Sequence, residues 1–215
     1  SDGVGLSEEY VVFFVRAKTP RAPIALLMPT ATYLAYANDH LSFEAEMAQP
    51  IVGQTPILTD IDIEIHQSPE FGRSTYDHHH DGAGVCYTSY RRPIVGMRPK
   101  HRNAMNGITW GFAADLSILA WLEHCNYDYE VLTDEDLHQK GVDAISPYKC
   151  VITGTHPEYY SETMLDATED FVADGGRLIY IGGNGYYWNV DFCQDEPWCM
   201  EVRKLDSGMR AWNAR

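Results

Sequence analysis

Basic residues are scarce in this 215-residue chain: 16 lysines and arginines stand against 31 aspartates and glutamates, a formal net charge of −15. That balance argues against nucleic acid or an anionic membrane as a partner, since both are bound by basic patches. No apolar run approaches the roughly 18 residues of a membrane-spanning helix, and no signal peptide opens the sequence. Cysteine is sparse. The five residues Cys86, Cys125, Cys150, Cys193 and Cys199 are odd in number and form no CxxC pair, so they read as reduced thiols of a cytoplasmic protein. The spacing of Cys193 and Cys199 matches no zinc signature. A GxGxxG turn and a Lys-Ser/Thr phosphate loop are both missing, as are repeats and low-complexity tracts. The chain starts without Met and stops shortly after Trp212 with no closing element, so it reads as a piece of a longer polypeptide.

What is present suffices for a folded domain. A chain of this length buries roughly 70% of its unfolded surface without a covalent staple. Residues 10–16 (YVVFFVR) have strand composition, and the proline-punctuated residues 19–23 (TPRAP) form a boundary. Residues 1–22 therefore read as the end of a preceding β-rich region with its linker, and residues 23–215 as an α/β domain incomplete at its C-terminus. Ile24 to Met28 is a continuous apolar run, the signature of a strand buried on both faces of a parallel sheet. After Pro29, Tyr33 and Tyr36 stand three apart, a spacing that puts both on one side of a helical turn.

A long excursion follows, from residue 39 to about 105, and long connections of this kind are commonly functional. It contains a five-residue alternation at 61–65 (IDIEI) that reads as a strand with one polar face, then residues 74–82 (STYDHHHDG), a short strand from Tyr87, and the basic cluster 98–102 (RPKHR), a solvated loop. Three consecutive histidines suggest a zinc or nickel site with Asp77 or Asp81. Neighbouring side chains on an extended chain point to opposite faces, so few of them could share one ion. Phe112, Leu116, Leu119 and Ala120 recur at helical spacing over 108–124. Residues 127–132 (YDYEVL) form a strand, and Thr133 with Asp136 opens a capped helix.

The most informative stretch is residues 150–160 (CVITGTHPEYY). A buried strand breaks at Gly154, and Ser161 stands as N-cap of a following helix. Its turn carries an imidazole, His156, and a carboxylate, Glu158, at the carboxyl end of a strand, where open α/β sheets bind ligands. The elbow holds Thr155, His156 and Pro157. No cysteine or serine nucleophile stands there, which leaves metal chemistry or none. Another strand, 177–181, runs into residues 182–188 (GGNGYYW), where glycines permit close backbone approach and Asn184 can both donate and accept. The order β, excursion, α, β, α, β, α, β defines an α/β fold with a doubly wound, mostly parallel sheet. Its topology brings residues 30–38, 153–160 and 182–188 to one edge, with the Tyr76 loop long enough to fold over them.

Residues 32–38 (TYLAYAN), 74–82, 153–160 and 182–188, in this order and spacing, together resemble the large subunit of N,N-dimethylformamidase and its relatives. The resemblance covers essentially the whole chain, as the middle portion of that subunit. It implies a glutamine-amidotransferase-like (flavodoxin-like) domain following a β-rich region. It also implies a mononuclear iron, Fe3+, held by Tyr36, Tyr76 and Glu158. His156, Asn184 and Lys204 match substrate-facing or supporting positions. The implied activity is hydrolysis of a small amide such as N,N-dimethylformamide to formate and dimethylamine. The implied partners are a small subunit of the same enzyme and further copies of the large subunit. Phenolate and carboxylate are hard oxygen donors suited to a hard, highly charged cation. Two alternatives stand beside this expectation: a hydrolase of another small C–N substrate with the same iron site, and a non-catalytic binding or structural module that keeps the fold.

Overall fold

Short apolar runs and capped helices alternate along the chain, and each run pairs where its burial demands. The computed structural model describes residues 10–40, 53, 55–105 and 107–204. In chain order its helices and strands are β1 (Ile24–Met28), α1 (Thr30–Ala35), α2 (Asp60–Gln67), β2 (Tyr87–Ser89), α3 (Phe112–His124), β3 (Tyr129–Thr133), α4 (Asp134–Lys140), β4 (Cys150–Thr153), β5 (Tyr159–Tyr160), α5 (Glu162–Ala173), β6 (Arg177–Ile179), β7 (Trp188–Phe192) and β8 (Cys199–Val202).

The first sheet has the order β3-β1-β4-β6, and every neighbouring pair is parallel. Leu26 of β1 lies level with Val131 on one side and Ile152 on the other. The uninterrupted apolar sequence of β1 has its cause here, because both faces of the strand are covered. Ala25, Leu27 and Val151 turn to one face, where Leu34, Leu137, Met164 and Phe171 of α1, α4 and α5 pack. Leu26, Met28 and Ile152 turn to the other, against Phe112, Ile118 and Leu122 of α3. The chain thus passes from β1 to β3 through α3 on one face and from β4 to β6 through α5 on the other. The direction of winding reverses between β1 and β4, and that reversal opens a crevice at their carboxyl ends.

A second four-stranded sheet, β2-β8-β7-β5, is mixed: β2–β8 and β8–β7 are antiparallel, while β5–β7 is parallel. Its apolar residues Tyr159, Tyr160, Val190, Phe192, Met200 and Val202 share the core of α1, α4 and α5. The capped helices begin where their caps stand. Thr133 accepts from the Asp136 N–H ahead of α4, and Ser161 accepts from the Met164 N–H ahead of α5.

Several sequence expectations are corrected. Residues 10–16 carry no strand; Val12 and Phe14 lean onto the α3 face, Phe14 edge-on to Phe112, while Val11, Phe13 and Val15 stay exposed. Residues 61–65 are helical, because Thr59 and Asp62 form a capping box and Ile61 and Ile65 then fall one turn apart with Ile65 buried. The second sheet is an addition, because its strands are short and adjoin irregular turns. All five cysteines are free, and no described helix is long and apolar enough to cross a membrane.

Candidate functional site

Three separate connections meet over the β1/β4 crevice, and backbone hydrogen bonds set each one. The β4 loop crosses α1 at Thr32. Its hydroxyl donates to the His156 carbonyl at 2.7 Å and accepts from the Glu158 N–H at 3.2 Å. From the other side, the Glu158 carbonyl accepts the N–H groups of Tyr187 (3.0 Å) and Trp188 (2.9 Å), and the Pro157 carbonyl accepts from Tyr186 (2.9 Å). Glycines make these approaches possible. A side chain at Gly154 would collide with Pro29 and Asp115, and one at Gly182 would lie 2.6 Å from the Thr155 carbonyl oxygen. The excursion is pinned to the end of α1: Thr75 gives both its N–H and its hydroxyl to the Ala35 carbonyl, at 3.0 and 2.9 Å. Thr88 likewise binds the Leu34 carbonyl. The last carbonyls of α1, orphaned by the helix end, thereby deliver Tyr76.

The side chains so placed converge on oxygen. The Tyr36 hydroxyl donates to Glu158 Oε2 at 2.8 Å. The Tyr76 hydroxyl lies 2.5 Å from that of Tyr36 and 3.3 Å from Glu158 Oε1. The Tyr36 and Tyr76 rings stack with centroids 4.2 Å apart. Glu158 is only 2% exposed. His156 presents Nε2 to Glu158 Oε2 at 3.0 Å, an imidazole–carboxyl hydrogen-bonded pair. Trp110 closes the other flank, its ring 4.5 Å from Tyr36 and 5.4 Å from His156. The buried ammonium of Lys204 lies 3.1 Å above the Tyr76 ring, close enough for a cation–π attraction. Burial, then each other's charge and that of Glu158, holds the Tyr36 phenol far above its usual range; burial and Glu158 do the same to Tyr76. Only a strong positive charge among these oxygens would reverse that preference.

The crevice gathers most, though not all, of the residues that the sequence marks. Tyr36, Tyr76, Glu158 and His156 meet, with Lys204 behind Tyr76. Tyr33 turns away: its hydroxyl bonds to the buried Asp115 on the α3 face. The two tyrosines do not share a side, because α1 ends at Ala35 and Tyr36 lies beyond it, at φ −93° and ψ 5°. Asn184 is exposed with positive φ in its glycine turn, and no hydrogen bond among the described residues joins it to the cluster. His78, His79 and His80 point to water, while Asp77 turns inward to His40 at 2.9 Å and the Ser74 N–H at 2.7 Å. Among the described residues no group of three His, Cys, Asp or Glu side chains could hold a metal. The cluster that fits one is built instead from phenols: Tyr36, Tyr76 and one buried carboxylate offer hard oxygens within 3.3 Å of each other, the donor set for a hard cation.

Sequence reasoning passes over Tyr159, whose hydroxyl donates to that of Tyr76 at 2.7 Å. Strand alternation puts neighbours on opposite faces, so Tyr159 looks unable to join Glu158; the turn at Pro157, where the Glu158 N–H reaches back to the His156 carbonyl at 2.9 Å, breaks that alternation. Asp115 and Trp110 are missed for another reason: nothing in the local sequence signals a bond to a distant loop.

A buried phenol and carboxylate centre at the switch point of a two-faced α/β sheet is thus the feature that defines the domain. Residues 4–215 match the family described as N,N-dimethylformamidase beta subunit-like, C-terminal. The chain is 47% identical over 214 residues to the N,N-dimethylformamidase beta subunit of Paracoccus aminophilus, covering 98% of this chain and 28% of that protein. It is 46% identical over 211 residues to the protein of the same name from Alcaligenes sp, covering 97% and 27%. The chain belongs to this family of N,N-dimethylformamidase beta subunit-like proteins. It spans about a quarter of the length of these relatives. Their names replace the large-subunit assignment with the beta subunit, and the matching region is described as C-terminal where the sequence suggests a middle portion.

Proposed function

We propose that this domain holds the hydrolytic centre of an iron-dependent amidase acting on a small linear amide such as N,N-dimethylformamide, with formate and dimethylamine as products. The convergence of the Tyr36, Tyr76 and Glu158 oxygens in a buried crevice carries the reading. In it, these three residues would hold a mononuclear ferric ion, on a glutamine-amidotransferase-like scaffold without a Cys or Ser nucleophile at its elbow. When bound, such an ion polarises an amide carbonyl and makes a bound water more acidic.

The remaining work belongs to the chain. Trp110 and the stacked tyrosines wall the crevice with rings, which suits the apolar N-methyl groups of a small tertiary amide and limits water. Hydrolysis needs a proton taken from water and one given to the departing amine. His156, whose Nε2 faces Glu158, is the titratable group placed to move it. Lys204 sets a positive charge against the anionic oxygens behind Tyr76. Asn184, exposed on the glycine turn next to His156, is available to orient the substrate or receive the developing oxyanion. The partners are the other subunit of the enzyme and further copies of this one, in the cytoplasm.

The test uses the full-length protein assembled with its partner subunit. Iron content, the visible absorption spectrum and amine release from dimethylformamide are measured for wild type and for Glu158→Ala. Iron with a phenolate charge-transfer band, lost in the variant together with activity, is expected. A Glu158→Ala protein that stays iron-replete and active refutes the assignment.

A further inference from the structure

We infer that Tyr159 is a positioning residue of this centre, holding the Tyr76 oxygen with a hydroxyl that no ligand supplies and making Tyr76 the weaker of the two phenolate donors. The inference rests on the iron reading above.

The hydroxyls form a directed series. Tyr159 donates to Tyr76 at 2.7 Å, Tyr76 lies 2.5 Å from Tyr36, and Tyr36 donates to Glu158 at 2.8 Å. Two of these protons belong to the proposed ligands and leave when a cation binds there. The proton of Tyr159 remains. Its ring is fully buried, and its backbone is locked by pairing with Trp188 of β7, so the hydroxyl stays aimed at an oxygen that has become a pure acceptor. A hydrogen bond to an anion is about twice as strong as a neutral one, so the contact tightens on loading.

Tyr36 has no equivalent support. Among the described residues its hydroxyl is hydrogen-bonded to Tyr76 and Glu158, both proposed ligands themselves. The Lys204 ammonium also favours Tyr76, at 3.1 Å from its ring centre. One phenolate is therefore drawn upon twice, at its oxygen by Tyr159 and over its ring by Lys204, while its partner is not. Groups that bond to a ligand in this way fix its orientation and tune the metal. The weaker donation from Tyr76 leaves the cation a stronger Lewis acid toward a carbonyl.

Tyr159→Phe removes the hydroxyl and keeps the ring. In the assembled full-length enzyme its charge-transfer band is expected at longer wavelength than in wild type, because an unsupported phenolate gives up electron density more easily. Competition with an iron chelator is expected to show affinity lowered by about 10-fold or more. Tyr160→Phe is the control: this neighbour is equally buried but packs its ring on Tyr186, away from the cluster, and its band should coincide with wild type. An iron-loaded Tyr159→Phe enzyme with an unmoved band and unchanged affinity shows that Tyr159 only fills space, and overturns the inference. A shift of equal size in Tyr160→Phe overturns it too, by making the shift a general response to lost hydroxyls. A wild-type enzyme without iron or band refutes the iron reading itself, and this inference with it.

Discussion

Asp115→Ala offers the sharpest test of how the scaffold places the site. Asp115 sits in the first turn of α3 and is fully buried. Its Oδ1 accepts the Thr155 N–H at 2.6 Å and its Oδ2 accepts the Tyr33 hydroxyl, so one carboxylate ties α1, α3 and the β4 loop together. Burial raises its pKa, and the bonds from Tyr33 and Thr155 work against that rise. Removing the carboxylate leaves two buried donors without an acceptor, at about 1–3 kcal/mol each, or about 2–6 kcal/mol together. A protein of this size loses about 2–4 °C of Tm per kcal/mol, so the domain should melt about 4–24 °C lower. Asp115→Asn keeps an acceptor for Thr155 and should lose less than half as much. Thermal unfolding of the parent protein, followed by circular dichroism with iron content measured alongside, checks both. Because Thr155 leads into His156 and Glu158, the proposed iron centre should also hold its metal less tightly in the alanine variant. A midpoint within about 1 °C of wild type, or equal losses for alanine and asparagine, would refute the reasoning.

Three further outcomes are expected. The Glu135 carboxyl is pushed up to about 7 from its ordinary 4.5 by burial; between those values the folded state keeps a proton that the unfolded chain has released, so stability falls as pH rises through that window, by about 3 kcal/mol in all. Glu135→Gln should flatten the slope in melts recorded from acid to neutral pH, and an unchanged slope counts against the assignment. Ser161→Ala removes the acceptor of the Met164 N–H at the start of α5 and should cost about 1 kcal/mol, read as a Tm lower by about 2–4 °C. Gly182→Ala drives a methyl group into the Thr155 carbonyl and Pro157, costing about 1–3 kcal/mol and lowering kcat through the displaced His156 loop; Gly96→Ala, whose added carbon meets nothing within 4 Å, serves as the neutral control in the same melts and assays.

The parts of the fold legible in the sequence are those where one local signal decides. A continuous apolar run of four or five residues closed by Pro29 or Gly154 reads as a strand covered on both sides, and β1 and β4 obey it. Thr133 and Ser161 announce their helices because a cap acts within three residues. The alternation at 61–65 misleads because five residues satisfy a period of two and a helical spacing equally well, and the capping box at Thr59 decides between them. Residues 10–16 have strand composition, yet composition names no partner and none stands among the described residues. The site divides in the same way. Glu158 and His156 are readable from their turn, since β4 must deliver them to the sheet edge. Tyr76 over Glu158 depends on Thr75 reaching a carbonyl forty residues away in α1, a contact with no local trace. Tyr159 and Asp115 belong to that second kind.

On the proposed iron reading, the same division explains how the cluster would serve a cation. Hydrogen bonds among Tyr36, Tyr76 and Glu158 draw the oxygens together in the protonated state, but those bonds vanish as soon as the phenols lose their protons. If they alone set the geometry, three like charges would fly apart at the moment of loading, since anions a few ångströms apart repel strongly in a buried site. What holds each residue is instead a bond that no deprotonation touches: the end of α1 for Tyr36, the Thr75 clasp on Ala35 for Tyr76, and the Thr32 hydroxyl with the Tyr187 and Trp188 N–H groups for Glu158. Tyr159 and Lys204 add a donor and a charge that would also survive loading. On the proposed iron reading, the backbone clasps would therefore keep the three oxygens close together with the phenols protonated or with a metal ion in place of those protons, the preorganisation that an electrostatic catalyst requires.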